Sequence, residues 1–190
     1  MADEEIKKEI QSFWGSLYQS LYEDIDSKLE KNTLIQLVAE LEDMFRYRQH
    51  MAVVEMDLSQ LKGKRVLEIG SGAGGHSALF ASHGAWVTSL DLTEDRVIST
   101  NKKLRLLEPV EPCSALQGDA ETLPFGDESF DVVYSNGVLH HTEDTQKTID
   151  EVFRVLKTDG KAVILLYCKS SWHYWVNLFL CHGILLGKAF

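Results

Sequence analysis

Four glycines, Gly70, Gly72, Gly74 and Gly75, fall within six residues directly after the apolar run ending at Ile69, in the stretch VLEIGSGAGGHS. A glycine turn between a strand and a helix lets the backbone approach a ligand and presents free amides at the helix N-terminus, chemistry suited to a phosphate or a ribose. Two templates fit the same residues. Gly70, Gly72 and Gly75 satisfy G-x-G-x-x-G, and Asp91 stands 21 residues after Gly70, where a nicotinamide dinucleotide site places its ribose-binding acid. Glu68, Gly70, Gly72 and Gly74 equally spell E-x-G-x-G-x-G. The loop by itself leaves the ligand open. Asp119, in GDAETLPF, and the neighbouring His140 and His141 complete the set. An imidazole there could act as a base or touch a substrate, or simply bond the backbone of its loop.

Such residues need a frame, and the chain supplies one from Lys62 onward. KRVLEIG reads as a buried strand, GGHSALFASHG as a helix stopped at Gly84, and AWVTSLD as a second strand ending in Asp91. LTEDRVISTNKKLRLLE reads as a helix with Thr93 as N-cap, Glu94 and Asp95 in its first turn, and Pro109 and Pro112 past its end. CSALQGD and FDVVYS are a third and a fourth strand. TEDTQKTIDEVFRVLKTDG is expected to be helical up to Gly160, and KAVILLYC is a fifth strand. Strands alternating with helices imply an α/β fold with a mainly parallel, doubly wound sheet and right-handed crossovers. Ligands bind such sheets at the carboxyl ends of the strands, where His140 and His141 fall. The first 60 residues read as helices. Phe13, Trp14, Leu17, Tyr18, Leu21 and Tyr22 form a rough stripe that Gly15 would interrupt. A second helix would start with Asn32 or Thr33 as its cap and carry Leu34, Leu37, Val38, Leu41 and Phe45 on one face. These helices would pack on the core, cover a binding site, or do both.

The choice between the two templates comes from GDAETLPFGDESFDVVYSNGVLHHTED. Asp119 follows the third strand, LPF precedes SFD, and EVFRVLKTDGKAVIL closes the block as helix, glycine turn and strand. These motifs, in this order from Val66 to Tyr167, resemble the class I S-adenosylmethionine-dependent methyltransferases. The resemblance is to the type 11 group that includes the ubiquinone- and menaquinone-type enzymes, and it covers about half of the chain. It implies a Rossmann-like sheet of strand order 3-2-1-4-5 and S-adenosyl-L-methionine as co-substrate. It implies roles as well. Gly70, Ser71 and Gly72 would lie along the methionine end and the ribose, and Glu68 would face the cationic amine directly or through water. Asp91 would accept from both ribose hydroxyls, with Leu92 on the adenine face. Asp119 would accept from the adenine amine, with Ala120 offering its backbone N–H. Ser135 and Asn136 would bring a strand-end carbonyl to the methionine amine. His140 or His141 would be the base if the acceptor must lose a proton. The competing reading, a nicotinamide-dependent oxidoreductase, leaves SFDVVYS without a role. A non-catalytic binding module on the same fold is a third.

Composition bounds the partners. The chain has 190 residues, 44% of them hydrophobic, enough for one domain with a core. A net charge of -10 argues against nucleic acid and favours a small-molecule acceptor. Cys113, Cys168 and Cys181 match neither a zinc pattern nor a disulfide framework. MADEEIKKEI lacks a signal-peptide core, which points to a cytoplasmic protein. The expected division is a helical cover over 1–60, the α/β domain over 61–168 and an apolar helix over 169–190. That last stretch, with its Trp and Tyr, is read as core-packing or site-covering ahead of a membrane-surface helix. Only 23 residues follow Tyr167, too few for a further helix and the final hairpin usual in this fold. The sequence therefore reads as C-terminally truncated, with an exposed fifth-strand edge that could pair with a second copy.

Overall fold

The computed structural model describes residues 2–47 and 56–167. Three helices come first: α1 (Ala2–Leu21), α2 (Glu23–Ser27) and α3 (Lys31–Tyr47). The alternating unit follows as β1 (Arg65–Ile69), α4 (Gly75–Ser82), β2 (Trp86–Asp91), α5 (Glu94–Leu107), β3 (Ser114–Gln117), β4 (Phe130–Asn136), α6 (Thr145–Val155) and β5 (Leu156–Leu165). The five strands form one sheet of order β3-β2-β1-β4-β5, and every neighbouring pair is parallel. This is the expected Rossmann-like arrangement.

The central strand β1 is buried from Val66 to Ile69, as a strand covered on both faces must be. Its alternate residues feed two cores. Val66 packs with Phe80, Val87, Leu104, Tyr134 and Val163 beneath α3, α4 and α5. Leu67 and Ile69 pack with Leu90, Phe130, Val133, Leu139 and Val152 beneath α6. Each fully buried Leu, Ile or Phe contributes roughly 1.5–3 kcal/mol of transfer free energy, and both layers hold the strand ends in register. Leu34 and Val38 join the first core, with Leu41 and Phe45 against its rim, so α3 is packed onto the α/β unit.

Several expectations are corrected. Gly15 does not interrupt α1, because a single glycine costs a helix only about 1 kcal/mol and packing covers that cost. Helix α3 begins at Lys31, so neither Asn32 nor Thr33 caps it; the Leu34 amide bonds the Glu30 carbonyl instead. Leu37 points outward at 42% exposure and is not part of the α3 core face. Thr93 does sit at the N-cap of α5, yet its hydroxyl turns back to Asp91 and caps no helical amide. Helix α6 ends at Val155, five residues short of Gly160. Its Asp144 cap accepts from the Lys147 amide at 3.0 Å, and the chain then turns straight into β5. The glycine serves an irregularity inside that strand, between the Phe130–Leu156 and Val132–Lys161 pairings, where a Cβ on Gly160 would come within 2.8 Å of the Leu156 side chain. The expected helix over 169–190, together with Cys168 and Cys181, lies outside the described residues.

Candidate active site

A cavity of about 490 Å³ opens over the carboxyl ends of the strands, within the range of small-molecule sites. Its floor is the glycine loop. Gly70, Gly72 and Gly74 all adopt positive φ, at 80°, 53° and 78°, which a side chain would resist. Each glycine answers a different need. A Cβ on Gly70 would collide with Val138, and one on Gly74 would come within 2.8 Å of the Thr100 backbone. Gly72 has open space beside it: a Cβ there would find the Arg96 guanidinium 3.6 Å away, so its backbone is bare to the cavity. The loop is braced from below: the Gly70 amide bonds the Leu90 carbonyl at 2.7 Å and the Gly74 amide bonds the Ser71 carbonyl at 2.8 Å.

The acids stand on neighbouring strand ends. Asp91 closes β2, where its Oδ2 accepts from the Gly72 amide at 3.1 Å and its Oδ1 accepts from the Thr93 amide and hydroxyl at 3.0 Å. That fixes the carboxylate against the loop while leaving lone pairs toward the cavity. Asp119, after β3, folds into an Asx turn with the Glu121 amide bonding its Oδ1 at 2.9 Å. Gly70, Ser71, Gly72, Asp91, Leu92, Asp119, Ala120 and Asn136 all line this one cavity.

Glu68 and Ser135 do not line it. Glu68 is 1% exposed beneath the loop, accepting from the Ser77 hydroxyl, with His76 Nδ1 3.5 Å from its other oxygen. Ser135 is buried and donates to the Ile69 carbonyl at 3.0 Å, joining β4 to β1 just below the loop. The two histidines also part company. His141 lines the cavity beside Trp14, with ring centroids 5.1 Å apart, and burial holds its imidazole below the ordinary histidine range. His140 does not line it but packs against Tyr167, ring centroids 4.5 Å apart; both of its ring nitrogens are buried without a hydrogen-bond partner among the described residues, and burial and the adjacent His141 push its pKa down.

Other lining residues come from the cover helices: Trp14 and Leu41 belong to the faces expected to pack or cover a site, while Lys7 and Ile10 lie outside those expected faces. Lys7, Ile10 and Trp14 form one face of α1 and close the cavity from above, with Leu41 of α3 beside them. The i, i+3, i+7 spacing of these three is legible in the sequence, but the aromatic stripe begins one residue away, at Phe13, which is 61% exposed. Lys7 bonds Asp119 at 2.5 Å and Glu121 at 3.0 Å. The Asp119 bond is the main reason its ammonium is held above the ordinary lysine range. His76, Arg96 and Glu121 also reach the cavity.

Residues 67–164 match the family model described as a methyltransferase domain. The uncharacterized methyltransferase YcgJ of Bacillus subtilis is 36% identical over 101 residues, 53% of this chain and 40% of that protein. Its crystal structure superposes with a TM-score of 0.54 at 33% identity, covering 65% of this chain and 53% of the other. The demethylmenaquinone methyltransferase of Clavibacter sepedonicus is 35% identical over 107 residues, 56% of this chain and 42% of that protein. A Haemonchus contortus phosphoethanolamine N-methyltransferase, solved with phosphomonomethylethanolamine and S-adenosylhomocysteine, superposes with a TM-score of 0.51 at 28% identity, covering 62% of this chain and 28% of the other. The chain thus spans about two-fifths of the length of the curated relatives it matches. The matched segment begins within β1 and ends within β5, and so takes in the glycine loop, both acids and the strand ends that carry them: the chain belongs to the methyltransferase domain family.

Proposed function

We propose that this protein transfers a methyl group from S-adenosyl-L-methionine to a small, partly apolar acceptor. The observation that carries the reading is the pair of carboxylates, Asp91 and Asp119, brought from adjacent strand ends into one cavity above a bare glycine backbone. The residues suit the cofactor. Asp91, already oriented by Gly72 and Thr93, is placed to take the ribose hydroxyls, and charged acceptors make the stronger bonds. Leu92 and Ile10 bound the same cavity with apolar surface fit for an adenine, and Asp119 with Ala120 would read its edge. Glu68, buried beneath the loop, would act on the methionine amine through its field or through water and not by direct contact.

S-Adenosylmethionine supplies an activated methyl on a sulfonium leaving group, so positioning is the chief task of the protein. The loop after β4 and the cover helices would hold the acceptor, with Trp14, His141 and Tyr167 giving the site its aromatic side. If the acceptor must lose a proton, His141 is the imidazole placed to take it, because its burial favours the neutral, basic form. His140 would then serve only to pack the loop. The Clavibacter relative is, by its name, a demethylmenaquinone methyltransferase; the aromatic lining here is the feature of this chain that suits a partly apolar acceptor. Membrane contact stays the less favoured reading; no helix among the described residues is long and apolar enough to cross a bilayer.

Calorimetry with S-adenosylmethionine and S-adenosylhomocysteine tests the reading. Saturable binding of both by the folded protein is expected. Absence of binding, or NADH binding in their place, would overturn it.

A further inference from the structure

Lys7 is held by two of the protein's own carboxylates at the adenine end of the site. Its ammonium bonds Asp119 Oδ2 at 2.5 Å and Glu121 Oε2 at 3.0 Å, spanning 112 residues of sequence from α1 to the loop after β3. The other Asp119 oxygen is committed to the Glu121 amide. Under the methyltransferase reading, on which this inference rests, the adenine amine must approach the oxygen that Lys7 already holds. The carboxylate has lone pairs for both donors, but the ammonium's charge and bulk stand at the oxygen the adenine amine would use, so the two compete there.

The remaining ties of α1 to the α/β unit on this side are lighter. Gln11 donates to the Leu92 carbonyl at 2.9 Å, Gln19 reaches Asp95 at 3.3 Å in solvent, and the Arg96 guanidinium lies 5.1 Å over the Trp14 ring while bonding the Trp14 carbonyl at 3.3 Å. The glutamine bonds have neutral donors and the Arg96 guanidinium meets only a neutral carbonyl and a ring, whereas Lys7 is an ammonium shared between two carboxylates. Among the described residues, Lys7 is therefore the ion pair that ties the N-terminal half of α1, with Ile10 and Trp14, across the mouth of the cavity, while Tyr18 ties the other end to the buried Asp26. Glu121 gives the ammonium somewhere to go. Its Oε1 is fixed by the Glu143 and Asp144 amides at 2.8 and 3.1 Å, its Oε2 faces Lys7, and its side chain is only 5% exposed. Losing Lys7 altogether would strand that buried charge, whereas passing Lys7 from Asp119 to Glu121 would not.

We propose that Lys7 gates the cofactor site: it latches α1 over the cavity through Asp119, and cofactor binding moves the ammonium from Asp119 onto Glu121. Apparent association is slowed by the fraction of molecules with the latch closed.

Stopped-flow binding of S-adenosylmethionine, read by tryptophan fluorescence, tests this in the Lys7→Met, Lys7→Arg and Lys8→Met variants. Lys8 is a control for net charge, since its ammonium meets Glu4, at 3.8 Å, on the solvent side. Lys7→Met is expected to raise the association rate about two- to fivefold, the effect of a modest ion pair. Lys7→Arg should return it toward wild type and Lys8→Met should leave it unchanged. Hydrogen exchange of α1 in the protein without added cofactor should quicken in Lys7→Met alone. An association rate in Lys7→Met that is unchanged, slower, or matched by Lys8→Met overturns the gate. Failure of the wild type and all variants to bind the cofactor would instead sink the methyltransferase reading, and α1 exchange unaltered in Lys7→Met would remove the latch independently of any ligand.

Discussion

Asp91 carries three hydrogen bonds, from the Gly72 amide and from the Thr93 amide and hydroxyl. These bonds aim the carboxylate, and they make its removal costly twice over, to the loop and to the ligand. Asp91→Ala should weaken S-adenosylmethionine binding by about 1.5–3 kcal/mol, roughly ten- to a hundredfold in Kd, as measured by calorimetry. Asp91→Asn should recover part of the loop geometry but little of the affinity. The two histidines make a prediction of opposite kind, on stability. Both have pKa values lowered from the ordinary 6.5, chiefly by burial. The unfolded chain therefore binds more protons than the folded one just below that value, so stability rises with pH across the window. Their contribution is complete above pH 6.5 and is lost as pH falls through 6.5 toward the folded-state values. The carboxylates held low by ion pairs, such as Asp131 beside Lys157 and Glu151 beside Arg154, act in the same direction but only near and below pH 4.5. The urea midpoint should accordingly fall between pH 7 and pH 5, and fall less in the His140→Gln, His141→Gln double variant.

At the scale of elements, the cover is tied to the α/β unit by a buried ionic cluster. Asp26 of α2 accepts from the Lys103 ammonium, the Ser99 hydroxyl and the Tyr18 hydroxyl, the last at 2.6 Å, and the Lys102 ammonium bonds its carbonyl. Burial pushes the Asp26 carboxyl up, but these donors outweigh it and hold it below the usual carboxylate range. Burial and the Asp26 bond push the Tyr18 phenol up to about 12. The cluster sets how α1 and α2 sit on α5, and so where Lys7, Ile10 and Trp14 fall over the cavity. Asp26→Leu would leave the Lys103 ammonium buried without its partner and should cost about 3–5 kcal/mol in urea unfolding. Replacing Lys103 by Met in the same chain should restore much of that loss, because the unpaired charge is gone. Failure of the second substitution to recover stability would show that the cluster acts through packing alone.

At the scale of the whole molecule, one cavity is assembled from elements far apart in the chain: α1, α3, the glycine loop and the ends of β2, β3 and β4. A ligand that fills it couples the cover to the sheet. S-Adenosylhomocysteine at about a hundred times its Kd should stabilise the fold by roughly 2.7 kcal/mol by mass action, a rise of about 5–11 °C in Tm for a domain of this size. Differential scanning fluorimetry across ligand concentrations reads it directly. A Tm that does not move while calorimetry reports binding would mean that the ligand also binds the unfolded chain.

Much of this arrangement was legible in the residues themselves. Strands β1, β2 and β4 announce themselves as short apolar runs, because a parallel strand buried on both faces must be apolar throughout. The glycine loop is legible because positive φ selects glycine. Asp91 was legible from its distance to that loop, since a parallel crossover returns the chain to the same edge, and Asp119 from the resemblance of GDAETLPF and the block after it to the methyltransferases. Where α6 stops was not legible: Gly160 looks like a helix terminator, and only the pairing of Leu156 with Phe130 shows that β5 has already begun. Nor could the chain order tell His140 from His141, because their separation depends on how the turn after β4 rolls against Trp14 and Tyr167. Lys7 was hidden for the same reason. Its partners lie 112 and 114 positions away, and local periodicity carries no information about contacts at that range. The sequence by itself determined the alternating strands, the loop and Asp91, which are properties of pattern and spacing, and through its motifs' resemblance to a family the strand order and Asp119. The tertiary structure alone decided that Glu68 lies beneath the loop, that His141 and not the adjacent His140 lines the cavity, and that a lysine from the first helix closes it, because those depend on which faces of distant elements meet.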